Sequence, residues 1–145
     1  MILSYLIYNT ARKSDEASSI PTGMSAKETV ELYFKFWDDK NAAGCDNLWV
    51  ESEEHTKFGL LDMMYRIKLT NCYEFSREDT ISSYSDQIEY GNYYDYTYIF
   101  VHFDLANTRG SNMEGCWGDG DTVFGYFLVK ETKDSDWRIK SEGLC

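Results

Sequence analysis

The segment at residues 96–105 constrains the fold of this chain more than any other part of the sequence. Its alternate positions form two sets of side chains. One set is apolar or small: Thr97, Ile99, Val101, Phe103 and Leu105. The other begins aromatic and ends polar: Tyr96, Tyr98, Phe100, His102 and Asp104. Because successive side chains of a strand point to opposite faces, this period of two predicts a strand with its apolar face in the core.

A helical pattern precedes the strands along the chain. Ser25 and Glu28 have the spacing of a capping box, and apolar residues follow at helical intervals as far as Trp37. These features predict a helix over about residues 26–39. Two shorter helices are expected after it, over residues 42–50 and 51–64.

The rest of the chain predicts further strands, over residues 65–75, 122–130 and 137–140. The polar, serine-rich stretch 77–90 is expected to form a connection or an irregular edge, and the glycine-rich stretch 107–121 a long hairpin loop. Helices followed by antiparallel strands predict an α+β domain.

The charge of the chain limits its partners. Its 145 residues include 14 basic and 25 acidic side chains, which give a net charge of −11 at pH 7. The longest basic cluster is the pair Arg12 and Lys13, so no basic surface offsets the repulsion that a phosphate backbone would meet. We therefore expect no nucleic-acid partner.

The first residues differ in character from the rest. Residues 1–8 are apolar, but they are far fewer than the roughly 20 needed to span a bilayer. Two interpretations stay open: the end of an export or anchor segment that starts upstream, or a short element packed on the domain. A polar linker follows, so residues 1–24 are assigned to an N-terminal stub and linker, and residues 25–145 to the folded domain.

The cysteines and acidic residues do not predict a metal site. The four cysteines form no C-x-x-C pair, and only two histidines are available to complete a zinc site. The cysteines are Cys45, Cys72, Cys116 and Cys145. They are compatible with two disulfides in an exported protein or with four thiols in a cytosolic one. The carboxylates of Glu114, Asp119 and Asp121 lack the spacing of a calcium loop. No metal or other cofactor is expected.

Two segments together resemble a known superfamily. The first is E-T-V-E-L-Y-F-K-F-W-D-D-K-N-A-A-G-C-D-N-L-W, at residues 28–49. The second is F-L-V-K-E-T-K-D-S-D-W-R-I-K-S-E-G, at residues 127–143. They resemble the opening helices and the closing hairpin of nuclear transport factor two-like domains, within the cystatin-like cone folds. Within that superfamily the chain is most similar to uncharacterised domains of exported or membrane-anchored proteins of Gram-positive bacteria.

The resemblance implies a cone, in which a strongly bent antiparallel sheet wraps around the long helix and leaves a pocket at the open end. It also implies homodimers through the sheet. Enzymes of this superfamily use Asp, His and Tyr side chains inside the cone, and the weak catalytic candidates here are His102 and Asp104. The apolar set on the other face of the same strand is the better interior, which places both candidates outside.

Two groups of aromatic and aliphatic residues are candidate binding residues. The first would line the pocket, unless it is ordinary core: Tyr33, Trp37, Trp49, Thr97, Ile99 and Val101. The second would form an outward aromatic stripe: Tyr96, Tyr98 and Phe100. That stripe would be a dimer or partner surface, unless the N-terminal segment or the long loop covers it.

These observations favour a non-catalytic, extracytoplasmic module that binds a small apolar ligand or another protein. The alternatives are a small-molecule isomerase or dehydratase with an acid or base in the cone, and a structural dimerisation domain. A cytoplasmic location is the alternative to an extracytoplasmic one, and membrane contact is expected only through an N-terminal anchor. The enzyme interpretation requires a buried Asp, Glu or His that faces a cavity.

Overall fold

A computed structural model describes residues 20–50, 64–107 and 120–143 of the chain. The helices in this part are α1 (Ala26–Asp38), α2 (Ala42–Asn47) and α3 (Arg77–Gly91). The strands are β1 (Met64–Glu74), β2 (Asp95–Asn107), β3 (Gly120–Lys130) and β4 (Arg138–Gly143). The strands form one antiparallel sheet in the order β1-β2-β3-β4. The predicted α+β class is confirmed.

Helix α1 begins where the capping residues predict. The Ser25 hydroxyl accepts a hydrogen bond from the Glu28 backbone N–H at 3.1 Å, and the Thr29 hydroxyl donates to the Ser25 carbonyl at 2.8 Å. One face of the helix is buried, and Val30 and Trp37 on that face are at most 1% exposed. These local bonds and this apolar face explain why the predicted helix over residues 26–39 is confirmed.

The chain after α1 adds to the edge of the sheet. Helix α2 ends at Asn47, so it is shorter than the predicted helix over residues 42–50. The backbone N–H of Val50 donates to the carbonyl of Ile139 in β4 at 3.0 Å, and the N–H of Ile139 donates to the carbonyl of Leu48 at 2.8 Å. Residues 51–63 of the predicted third helix lie outside the described residues, and Met64 begins β1.

The inner face of the sheet packs on α1. Ile99, Val101 and Phe103 of β2 are completely buried there. The rings of Phe34 and Phe103 lie 5.1 Å apart, which places the helix directly over this strand. The predicted direction of the apolar face of β2 is therefore confirmed.

The expectation of a connection or an irregular edge at residues 77–90 is wrong, because these residues form most of helix α3. Ser76 caps the helix by accepting a hydrogen bond from the Asp79 backbone N–H at 3.1 Å. Thr80, Tyr84 and Ile88 recur at every fourth position and form the side of α3 that is least exposed. Contacts with the sheet stabilise this polar segment as a helix, because its own sequence offers little more than the cap and these three positions.

Tyr98 was expected to be exposed on the outward stripe, but helix α3 covers it. This side chain does point to the outer face of the sheet, the face opposite α1, but only 1% of its surface is exposed. The Tyr84 ring lies 5.1 Å from the Tyr98 ring and covers it. Tyr96 and Phe100 on the same face are half-buried.

The end segments of the predicted domain plan are described only in part. Residues 20–24, which the sequence assigns to the linker, include Ile20 and Met24, and both pack against the core. Residues 1–19 and the predicted loop at 108–119 lie outside the described residues. In the described ranges, no helix combines the length and the apolar character needed to cross a membrane.

Candidate functional site

The outer face of the sheet carries an exposed aromatic patch, which we define as Tyr73, Phe75, Phe100 and His102. The rings of Tyr73 and Phe100 lie 5.2 Å apart across neighbouring strands, and 42% of Tyr73 is exposed. Phe75 lies 6.2 Å from Tyr73 in a stacked arrangement, and His102 meets Phe100 edge-on at 5.5 Å. Large aromatic side chains held against one another at a surface are typical of a binding interface.

Two glycines lie on the strands next to this patch. Gly125 of β3 pairs with Phe100 of β2, and Gly143 of β4 pairs with Gly125. A Cβ atom on Gly143 would meet no atom within 4 Å, so this position is open. At Gly125 the absence of a side chain admits the Tyr98 ring, whose hydroxyl would lie 1.3 Å from an added Cβ. Tyr98 therefore fills the space over Gly125, and Gly143 is the open glycine position on this side of the patch.

Charged side chains follow the patch along the outer face. Lys68 of β1 pairs with Asp104 of β2, which in turn pairs with Asp121 of β3. The His102 Nδ1 atom lies 3.7 Å from a carboxylate oxygen of Asp121. A surface cavity of about 300 Å³ lies at this end of the sheet and is lined by Arg66, Lys68, Asp104, Leu105 and Ala106. Both signs of charge are thus present next to the patch.

The weak catalytic candidates, His102 and Asp104, lie on this charged part of the outer face. The His102 side chain is 35% exposed, and Asp104 is exposed. Neither side chain faces the buried interior of the sheet. The acidic triplet considered for calcium is not brought together in the described residues, because Glu114 and Asp119 lie outside them.

The predicted pocket-lining residues lie in the interior, and all of them are buried. They are Tyr33, Trp37, Trp49, Thr97, Ile99 and Val101. The ring of Tyr33 lies 5.4 Å from Trp37 and 6.3 Å from Trp49. None of the six lines the surface cavity beside Asp104 or a second surface cavity near the turn between β3 and β4. The structure brings five of them, all except Thr97, into one core cluster beneath the sheet.

Neutral groups supply most of the polar atoms in the interior around Tyr33. The Tyr126 ring lies 5.6 Å from Tyr33, and the Tyr126 hydroxyl has no hydrogen-bond partner among the described residues. Burial raises the pKa of both phenols well above its usual range. The buried polar residues of the described part are Thr29, Asn41, Thr80, Thr97 and Thr122. The described interior thus presents mainly hydroxyl and amide groups, together with one buried carboxylate oxygen of Glu142, the β4 residue that pairs with Tyr126.

The second surface cavity, of about 540 Å³, separates residues 22–25 from the turn between β3 and β4. Its two walls are joined by a hydrogen bond from the Gly23 backbone N–H to an Asp136 carboxylate oxygen, at 3.0 Å. Lys130 lies over the Trp137 ring, 5.9 Å from its centre. Lysines and carboxylates both line the cavity, so its charge does not favour one class of ligand.

The sequence did not identify Tyr73 and Phe75 as members of the patch. Both face outward because β1 contains a register shift between Leu69 and Asn71. The only signal for them in the sequence was their position two residues apart at the end of a predicted strand. By contrast, Phe100 was expected on this face.

Comparisons with known proteins identify a family but no activity. The model of a family described as a domain of unknown function (DUF4829) matches residues 27–143, so the chain belongs to this family. Neither the curated proteins nor the solved structures contain a significant match to it.

Proposed function

We propose that this member of the DUF4829 family is a non-catalytic interaction module that binds a second copy of its own chain through the exposed aromatic patch. The observation that carries the proposal is the contact of the Tyr73 ring with Phe75, which is stacked, and with Phe100, which is tilted, on the outer face, where 42% of Tyr73 is exposed. When a partner removes an aromatic cluster of this kind from water, the burial of its apolar surface stabilises the complex.

Charge and symmetry support a second copy as the partner. A dimer with a two-fold axis places the same patch on both sides of its interface. Two chains of net charge −11 repel each other, so they need local complementarity where they meet. The outer face carries both signs of charge for such complementarity, with Lys68 of β1 beside Asp104 of β2 and Asp121 of β3.

The nuclear transport factor two-like cone is part of this proposal. It is supported by the order of elements, with a long capped helix before a four-stranded antiparallel sheet. The resemblance also implies dimers through the sheet, and the patch lies on that surface. The extracytoplasmic location belongs to the proposal as well, and it rests on the resemblance alone.

The non-catalytic part of the proposal depends on where the acid and base groups lie. General acid–base chemistry needs a carboxyl or imidazole group beside the substrate, and Glu142, whose carboxylate has a buried oxygen, lines neither of the two surface cavities. His102 and Asp104 are the acid and base groups nearest the patch, and they lie in its open, charged surroundings. A small apolar ligand in the interior remains an alternative for which the described core offers Tyr126 as a neutral hydrogen-bonding group.

Sedimentation equilibrium tests the proposal. The wild-type protein is expected to form dimers, and Tyr73→Ser is expected to weaken the dimer by about 30-fold or more, the effect of an interface hot spot worth about 2 kcal/mol. Phe100→Ser should weaken it as well.

Tyr90→Ser provides the control, because Tyr90 is 84% exposed but lies on α3 outside the patch. This variant should dimerise like the wild type. A wild-type protein that stays monomeric at high concentration would contradict the proposal, as would equal effects of Tyr73→Ser and Tyr90→Ser on the dimer.

A further inference from the structure

Helix α3 covers part of the outer face with few contacts of its own. Of its 15 residues, only Thr80 is buried, while Tyr84 and Ile88 are half-buried. Most of its polar side-chain contacts with the sheet lie at its exposed start, where the Arg77 guanidinium lies over the Tyr96 ring at 4.5 Å from the ring centre. Gln87 and Ser141 lie 3.5 Å apart, and the pair between Arg77 and Asp95 is exposed to solvent. Ion pairs at such exposed positions contribute little to stability.

The surface beneath α3 is as apolar as a protein core. It consists of Val50, Tyr98, Phe127 and Val129, and none of these residues is more than 5% exposed. Tyr84 provides the main contact, because its ring stacks on Phe127 at 4.9 Å with only 9° between the ring planes. A well-packed apolar layer thus lies under a helix that is mostly exposed.

The helix is interrupted at the residue that makes this contact. Tyr84 has φ −130° and ψ 26°, which are not helical values, so α3 consists of two short halves. Isolated helices shorter than about 12–15 residues are marginal in water. Each half therefore depends on its contact with the sheet, and the loss of that contact would release the whole segment.

Backbone hydrogen bonds define where such a release would stop. Before the helix, the N–H of Phe75 donates to the Tyr98 carbonyl at 2.9 Å; after it, the N–H of Tyr94 donates to the Lys130 carbonyl at 2.9 Å. Asn92, at the end of the helix, adopts a left-handed conformation with φ 52°. The segment between these two anchors, residues 76–93, can leave the sheet without breaking the pairing of the strands.

We infer that α3 is a detachable cover, and that its release extends the aromatic patch to Tyr98 and Phe127 so that a second copy of the chain can bind there. The two surfaces are continuous, because the Phe75 ring of the patch lies 4.6 Å from the Tyr98 ring. The inference rests on the proposed function, since it describes how the same dimer surface is regulated. The partner would replace α3 on Tyr98 and Phe127.

Hydrogen exchange of the full chain tests whether the cover opens. Backbone amides of residues 77–91 are expected to exchange roughly 100-fold faster than those of β2 and β3, because local opening costs less than global unfolding. Equal protection of α3 and the two strands would overturn the inference, and it would leave the proposed dimer through Tyr73 intact.

A crosslink tests whether the opening serves the dimer. Gln87→Cys combined with Ser141→Cys can be joined by a short bifunctional maleimide that holds α3 on β4, with peptide mapping used to verify the pairing. The crosslinked variant should dimerise at least about tenfold more weakly than the same variant without the crosslinker, because the locked cover withholds Tyr98 and Phe127 from the partner.

The outcomes distinguish the two hypotheses. Fast exchange in α3 and weaker dimerisation on locking would support the inference. Dimers of equal strength in the crosslinked and uncrosslinked forms, still sensitive to Tyr73→Ser, would overturn the cover but keep the proposed function. A wild-type monomer would overturn both, whatever the exchange rates of α3.

Discussion

Replacing Gly125 by alanine perturbs the outer face at one defined point. The added Cβ atom would lie 1.3 Å from the Tyr98 hydroxyl oxygen and 2.1 Å from the ring carbon that bears it. Ordinary contacts begin at about 3.4 Å, so the ring would have to move by roughly 2 Å. The Tyr98 ring cannot simply turn away, because Phe75 and Tyr84 lie 4.6 Å and 5.1 Å from it.

The expected cost follows from what the ring must give up. Forcing an extra carbon into a packed core costs about 1–3 kcal/mol, and a broken aromatic pair adds about 0.5–1.5 kcal/mol. We therefore expect Gly125→Ala to lower the free energy of unfolding by about 3 kcal/mol. For a chain of this size, that change corresponds to a fall in melting temperature of about 9 °C. Urea unfolding followed by circular dichroism measures the change in the free energy of unfolding.

Gly143→Ala is the matched control, since Gly143 pairs directly with Gly125 on the next strand. Its added Cβ atom meets nothing within 4 Å, so the substitution should be neutral or stabilise the protein by about 0.5 kcal/mol. In a background of Tyr98→Leu, the penalty of Gly125→Ala should shrink to less than about 0.5 kcal/mol. Similar stabilities of the two alanine variants, or an unchanged penalty in that background, would refute the reasoning.

Two further predictions concern the inner side of the sheet. Burial, and then the charge of Glu31, raises the pKa of Cys72 from 9.0 to about 11. The unfolded thiol ionises first, so the free energy of unfolding should fall as the pH rises from about 9 to about 11. Urea titrations across this range should show a smaller fall in Cys72→Ala, and an equal fall would contradict the assignment. Asp38→Ala should cost about 1–2 kcal/mol, because its carboxylate accepts the Ile67 backbone N–H at 2.9 Å. Asp38→Asn keeps an acceptor oxygen and should cost less in the same assay.

The sequence predicts those parts of the fold where one local pattern decides the structure. The capping residues and apolar spacing of α1 act within a few residues of one another, and the structure confirms them. The sequence did not predict helix α3, because most of the side chains in this segment are polar. Its remaining signals were the cap at Ser76 and the spacing of Thr80, Tyr84 and Ile88, which are weak until the sheet that they contact is known.

The aromatic patch could be predicted only in part, because the period of two fails in β1. If the alternation of Ile67 and Leu69 continued, Tyr73 would point inward. The register shift between Leu69 and Asn71 reverses the two faces, so Cys72 packs against the core near α1 and Tyr73 pairs with Phe100 outside. A bulge depends on the pairing of two strands, and a single strand sequence does not specify it.

The composition of β2 nevertheless contains information about the cover. Its outer face is aromatic at Tyr96, Tyr98 and Phe100 and becomes polar at His102 and Asp104. A strand that is apolar on both faces needs a cover on both faces, and one that is polar on its outer face does not. Helix α3 covers Tyr98 and leaves the polar end open, so Phe100 lies at the boundary. At this boundary, the proposed dimer would require a second chain to compete with α3 for the same aromatic surface.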